Sequence, residues 1–239
     1  MAKIRSLDEL ETLRKSIISK RDPNKPSIFI CGGTGCLALG AENVIVAFEE
    51  EIKKQGLNTK VNLKVTGCPG FCERGPLVVI EPGGILYQRV KAKDVAEIIS
   101  RTIVKGTVVE RLLYPDPGTG GKVSQESEIP FYKKQKRLLL GNVSRIDPGN
   151  IDDYFAVGGY AALGKALFGM SPEEIIGEVK KSGLRGRGGG GFPTGVKWES
   201  CRRAQGDTKY IICNCDEGRL PCPISTGYTG VLYCPPGSG

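Results

Sequence analysis

Four cysteines stand as two spaced pairs, Cys31-x4-Cys36 and Cys68-x3-Cys72, each directly after a stretch that reads as a strand. Thiolates gathered by two strand-end loops can hold a metal centre. Zinc ribbons ordinarily use an x2 spacing that makes a tight knuckle round one small ion, whereas x4 and x3 leave wider loops suited to a larger inorganic cluster. Gly32, Gly33, Gly35, Gly67 and Gly70 would let backbone N–H groups approach cluster sulfides. The spacing favours a 2Fe-2S centre. Zinc, and cysteines that are merely buried or disulfide-bonded, are the alternatives it leaves open.

The second dense signal is Gly183-Leu184-Arg185-Gly186-Arg187-Gly188-Gly189-Gly190-Gly191-Phe192-Pro193-Thr194-Gly195-Val196-Lys197-Trp198. Residues without side chains let a loop turn tightly and present several N–H groups to a phosphate or to the face of a flat cofactor. A helix that follows adds its positive end. Arg185, Arg187 and Lys197 could supply charge to the same anion. The segment follows a helix rather than a strand, so neither a Walker A loop nor a dinucleotide G-x-G-x-x-G context fits. An RNA-binding Arg/Gly segment, a flexible linker and a purely structural turn compete with the cofactor reading. The loop is single and bracketed by structure, and Phe192-Pro193 and Trp198 imply packing.

Composition narrows the chemistry further. The 239 residues include 9 Cys, 34 Gly and no His, with a formal net charge of +8. Without imidazole there is no His-based acid/base catalysis, no Cys/His nucleophile pair and no His-containing zinc site. The positive charge is shared evenly between the two halves, which gives nucleic-acid binding little support. The one tight basic cluster, Lys133, Lys134, Lys136 and Arg137, reads as a solvated face or a partner contact. No hydrophobic signal core opens the chain and no apolar run is long enough to span a bilayer, so a cytoplasmic protein with reduced cysteines is expected.

The elements that must position these residues follow from periodicity. Ser6 and Glu9 form a capping-box spacing ahead of a helix over about 6–20. Ser27-Ile28-Phe29-Ile30 reads as a strand, Ala41 to Gln55 as an amphipathic helix, 60–65 as an alternating strand, and 77–80 with 85–87 as a hairpin. A helix over about 92–104 closes an α/β unit. Pro, Gly and Ser mark 111–128 as a linker. A second unit begins near Ile129, with an apolar helix over about 151–168, a helix opened by Ser171-Pro172-Glu173-Glu174, a helix over about 196–203 and a strand at 210–213.

The cysteine pattern on this order of elements resembles the thioredoxin-like 2Fe-2S ferredoxins, including the small NuoE-type subunit of respiratory NADH dehydrogenases, over residues 1–110. All four cysteines are cluster ligands in that family, which implies Cys31, Cys36, Cys68 and Cys72 as metal ligands. Ile129-Pro130-Phe131, Ile146-Asp147-Pro148, Gly159-Tyr160 and Asn214-Cys215-Asp216-Glu217-Gly218 resemble the N-terminal part of the NuoF-type flavin subunit, whose glycine-rich motif matches 183–198 almost throughout. That family binds FMN, takes a hydride from NADH and passes single electrons to iron-sulfur centres. The resemblance implies Gly186, Arg187, Gly188, Gly189 and Lys197 at FMN or the nicotinamide nucleotide, with Asn214, Asp216 and Glu217 lining the flavin.

A ferredoxin unit ahead of a flavin unit resembles the beta subunits of multimeric NAD-linked hydrogenases and related formate dehydrogenase subunits. It implies as partners the other subunits of a hydrogenase, formate dehydrogenase or NADH dehydrogenase complex, with no nucleic acid and no direct membrane insertion. After Gly218 the chain turns to Arg219-Leu220-Pro221-Cys222 and leaves the family pattern. The expected fold is therefore α/β: a ferredoxin domain (1–110), a linker (111–128), an incomplete FMN-binding domain (129–218) and an unstructured tail (219–239). Such a chain would transfer electrons between NAD(H), FMN and iron-sulfur centres. The alternative is a non-catalytic 2Fe-2S carrier or partner-docking module with FMN held weakly.

Overall fold

The computed structural model describes residues 4–138, 140–187 and 189–210. In chain order they form α1 (Leu7–Ser19), β1 (Ser27–Cys31), α2 (Thr34–Ala38), α3 (Ala41–Lys54), β2 (Asn62–Thr66), β3 (Val78–Glu81), β4 (Ile85–Tyr87), α4 (Val95–Ile98), β5 (Tyr114–Pro115), β6 (Lys122–Val123), α5 (Pro130–Lys133), α6 (Ile151–Ala156), α7 (Ala161–Gly169), α8 (Pro172–Lys181) and α9 (Thr194–Arg203). The described residues divide into two units, 21–154 and 4–20 with 155–210.

In the unit of residues 21–154 the sheet runs β2-β1-β3-β4. β1 and β2 are parallel and the other neighbours antiparallel. A parallel pair needs a crossover of a dozen or more residues, and α2 and α3 supply it. Val44, Phe48 and Ile52 recur every four residues on α3 and are buried against Ile28 and Ile30 of β1 and Val78 and Ile80 of β3. The stretch 92–104, expected as one helix, is composite: a 3-10 turn, then α4, then wider π turns over Ile99–Val104. Within it, Thr102 Oγ1 lies 2.6 Å from Tyr87 Oη, and the Val109 N–H donates to the same phenol oxygen at 3.1 Å.

The expected linker is folded instead. Leu112 and Leu113 join the main core, Tyr114 enters a second buried cluster with the cysteines, and β5 pairs with β6. The Pro- and Gly-rich residues between them make a tight turn, where the Asp116 carboxylate accepts from the Gly118 N–H at 2.9 Å and from the Thr119 hydroxyl at 3.1 Å. Composition therefore marked a turn within a packed unit rather than a tether. Residues 129–154, expected to open the second domain, belong to this unit too. Ile129 is fully buried. Asp153, 1% exposed, accepts from Lys64 Nζ at 2.7 Å through both carboxylate oxygens and from Arg21 at 2.7 Å.

The other unit includes α1, which the sequence reading assigned to the first domain. Ser6 Oγ accepts from the Glu9 N–H at 3.1 Å, and Leu10 and Ile17 pack with Phe155. The apolar helix expected over 151–168 is broken into α6 and α7, because Gly158 (φ 86°) and Tyr160 (φ 64°) take left-handed backbone between them. α8 carries the capping box expected of it: Ser171 Oγ accepts from the Glu174 N–H, and the Glu174 carboxylate accepts from the Ser171 N–H. α8 and α9 meet at Gly195, where a Cβ would lie 2.5 Å from Lys180 Cγ. Lys180 also pairs with Glu199 at 2.7 Å, and Arg202 with Glu173 at 2.7 Å. Tyr210 is not in a strand; the rest of the strand expected at 210–213 and the 219–239 tail lie outside the described residues.

Candidate metal centre and glycine loop

The parallel register pairs Cys31 at the end of β1 with Thr66 at the end of β2, so the chain leaves both strands at the same end of the sheet. The Gly32 N–H donates to the Thr66 carbonyl at 2.8 Å, holding the two exits side by side. From β1 the chain turns into α2, which carries Cys36; the sequence reading placed this cysteine on a loop. From β2 it passes through Gly67, Cys68, Pro69, Gly70 and Phe71 to Cys72, which opens a 3-10 turn.

The four thiols come together. Cys68 Sγ lies 3.4 Å from Cys72 Sγ, and Cys31 stands close enough to Cys36 and Cys68 for the three thiols to shift one another's titration. Cys31, Cys36 and Cys68 are buried, whereas Cys72 is exposed. The cradle is lined by glycine where it must be. A Cβ would lie 2.6 Å from the Cys68 Cβ if placed on Gly33, 3.3 Å from Cys72 Sγ on Gly35, and 2.7 Å from Cys36 Sγ on Gly75. The Gly70 N–H donates to Cys68 Sγ at 3.3 Å.

Their electrostatics are those of a set that awaits positive charge. The Cys31 hydrogen bond holds Cys36 below the usual thiol range and, with the Gly70 amide and the Arg137 charge, brings Cys68 down to about 5. Cys31 is pushed up by its hydrogen bonds to Cys36 and Cys68 and by burial, and Cys72, though exposed, rises to about 11 through partial loss of solvent and the neighbouring Cys68. Two thiols are shifted toward the charged form and two away from it. Binding a metal makes thiolates of its cysteine ligands outright. The neighbouring thiols of Cys36, Cys31, Cys68 and Cys72 are the donor type that a bridged cluster uses. The donors present thus fit a 2Fe-2S group with four cysteine ligands.

The glycine loop closes on itself. Arg185 and Pro193 form an isolated bridge, and the Gly186 N–H donates to the Phe192 carbonyl at 2.9 Å. Gly189 (φ 105°) and Gly191 (φ 56°) take backbone that side chains disfavour. Lys197, from the first turns of α9, places Nζ 5.6 Å from the Phe192 ring centroid, and a Cβ on Gly186 would lie 3.9 Å from that nitrogen. Arg187 turns back to donate to the Arg185 carbonyl at 2.9 Å. Gly186 and Lys197 are therefore adjacent, and the ammonium next to a side-chain-free turn suits a phosphate. Gly188, Asn214, Asp216 and Glu217, expected at the same cofactor, lie outside the described residues.

Comparison with known proteins decides the affiliation. Residues 16–102 match the family model of the thioredoxin-like [2Fe-2S] ferredoxins, and residues 179–220 match that of the Nuo51 FMN-binding domain. Residues 16–102 are thus similar to a thioredoxin-like [2Fe-2S] ferredoxin, and residues 179–220 to a Nuo51 FMN-binding region. Over 86 residues the chain is 54% identical to the NADP-reducing hydrogenase subunit HndC of Solidesulfovibrio fructosivorans, a match that covers 36% of the chain and 17% of that protein. Over 207 residues it is 55% identical to the NAD-reducing hydrogenase HoxS subunit alpha of Cupriavidus necator, covering 82% of the chain and 31% of that protein. The chain thus spans less than a third of either relative. A solved thioredoxin-like [2Fe-2S] ferredoxin from Aquifex aeolicus aligns at 34% identity and a TM-score of 0.34 over 36% of this chain and 93% of its own. No helix among the described residues is long and apolar enough to cross a membrane.

Phe71, Phe131 and Tyr132, which cover the second cysteine loop, were not legible as site residues. Ile129-Pro130-Phe131 drew attention only through its resemblance to the flavin family, and nothing in its spacing ties it to Cys68 or Cys72.

Proposed function

We propose that this chain passes electrons between NAD(H), FMN and iron-sulfur centres as part of the flavin subunit of an NAD-linked hydrogenase or an NADH dehydrogenase-like complex, beside that complex's other subunits. The carrying observation is the meeting of Cys31, Cys36, Cys68 and Cys72 at one end of the sheet, in the same chain as a Nuo51-type glycine loop. FMN, when bound, supplies the step between two-electron hydride chemistry and single-electron transfer. The chain's own part is to hold it: Gly186 leaves room for a phosphate, Lys197 balances its charge, and Arg187 lies within the same loop. Gly188, Gly189, Asn214, Asp216 and Glu217 complete the proposed cofactor contacts. The cysteines hold a 2Fe-2S cluster and the cradle glycines let backbone pack against it.

Chain purified anaerobically is expected to contain iron and sulfide and, once reduced, to give the EPR signal of a 2Fe-2S centre, which Cys36→Ser abolishes. Stoichiometric zinc with no iron would overturn the metal assignment. NADH oxidation with an artificial acceptor, assayed after FMN reconstitution, tests the flavin half: turnover supports the oxidoreductase reading, and a reducible cluster without turnover supports an electron-carrier module.

A further inference from the structure

The basic run Lys133, Lys134, Lys136 and Arg137 does not act as one patch. Lys133 pairs with Glu128 at 2.9 Å on the exposed surface, and Lys134 and Lys136 are exposed. Arg137 is half-buried and reaches the cysteine site, where its Nη2 donates to the carbonyl of Pro69, the residue after Cys68. Its guanidinium lies 5.4 Å from the Tyr132 ring centroid. Tyr132 meets Phe71 edge-on at 5.6 Å, and Phe71, next to Cys72, stacks on Phe131 at 4.4 Å. At the start of the same loop, a Cβ on Gly67 would lie 2.6 Å from Val143 Cγ2. Residues 129–143 thus cover the Gly67–Cys72 loop, and they lie beyond the stretch, 16–102, that matches the ferredoxin family model.

We infer that Arg137 is a positioning residue for the iron-sulfur site: it pins the Cys68 loop through Pro69 and raises the cluster's reduction potential by holding a fixed cation beside Cys68. The inference rests on the iron-sulfur reading above. A cluster that accepts one electron from a reductant becomes one charge more negative, with no proton required for balance. A guanidinium already in place stabilises that charge without reorganising. The group stays charged at all working pH values, and its half-burial limits screening by salt. Burial pushes the Glu126 carboxyl up and the charge of Arg137 opposes that rise, which makes Glu126 the carboxylate set against the guanidinium.

The test is an EPR-monitored potentiometric titration of the 239-residue chain, with dithionite as reductant, alongside iron and sulfide analysis. Arg137→Gln is expected to keep its cluster while its reduction equilibrium moves about tenfold toward the oxidised form, equivalent to about 59 mV for a one-electron couple. Arg137→Lys, which keeps the charge, is expected to stay within about threefold of the wild type. A fully loaded Arg137→Gln chain with an unchanged potential would overturn the inference and leave the cluster assignment standing. If Arg137→Gln does not retain iron, Glu126→Gln decides. Removing the opposing carboxylate is expected to move the equilibrium toward the reduced form, and no movement overturns the inference. Wild-type chain that carries zinc without iron removes the underlying reading and the inference together.

Discussion

Gly33 and Cys68 approach so closely that a Cβ on the glycine would lie 2.6 Å from the Cβ of the cysteine. Something must then shift, and the loop carrying Cys68 is what faces it. Gly33→Ala is expected to lower iron content per chain sharply while costing about 1–3 kcal/mol of folding stability, in line with overpacking at a close contact. Iron analysis with thermal unfolding measures both. Full iron occupancy in the variant would show that the loop can give without loss.

Asp153 ties residues near the end of its unit to β2 and to the residues before β1, through Lys64 and Arg21. Burial raises its carboxyl, but the Lys64 hydrogen bond, the Asp147 amide and the two cations outweigh it and leave the group below its usual 3.8. A carboxylate depressed in the folded state contributes stability above its unfolded value and loses it as pH falls through the folded one. Asp153→Asn is expected to cost about 1–3 kcal/mol at neutral pH, less than a fully enclosed pair would because both cations keep some solvent contact. It should also flatten the loss of stability below about pH 4. Urea unfolding at pH 7 and pH 3 tests this: an equal penalty at both would contradict it.

Tyr87→Phe removes one oxygen that serves two partners, Thr102 Oγ1 at 2.6 Å and the Val109 N–H at 3.1 Å. The ring packing survives, but a buried amide loses its acceptor, a cost of about 1–3 kcal/mol. Hydrogen exchange at the Val109 amide is expected to accelerate with it, and unaltered exchange would place that amide's protection elsewhere.

Gly195→Ala would set a methyl 2.5 Å from Lys180 Cγ and 2.8 Å from its backbone nitrogen. Because backbone cannot move aside as a flexible side chain can, α8 and α9 are expected to separate. Hydrogen exchange over 172–203 should rise with no change in residues 21–154, and uniform protection would count against the helix contact.

The sequence is most legible where side-chain type and spacing carry the information together. The cysteine pairs declare themselves, Val44, Ile45 and Phe48 mark the apolar side of α3, of which Val44 and Phe48 are buried, and Ser171 with Glu174 marks the start of α8. It is least legible where distant partners decide. Leu112-Leu113-Tyr114 is too short a run to show a period, and its burial depends on β4 and the cysteine loops. The break between α6 and α7 depends on one glycine and one tyrosine in left-handed backbone, which an apolar pattern does not reveal. Cys36 was found by its spacing, but its seat on the five-residue α2 was not. Arg137 reads as one more surface cation until Pro69 is seen beside it.

Pairing of Cys31 with Thr66 makes the ligand set a matter of strand alignment. A slip of one residue between β1 and β2 would displace Cys68 by about 3.3 Å along the strand axis relative to Cys31, while turning the apolar side chains of the slipped strand to the opposite face. That is more than any Fe–S bond could absorb. The pressure that keeps Ile28 and Ile30 out of water therefore also calibrates the bite of the metal site, and a misaligned sheet would carry four cysteines and no usable centre.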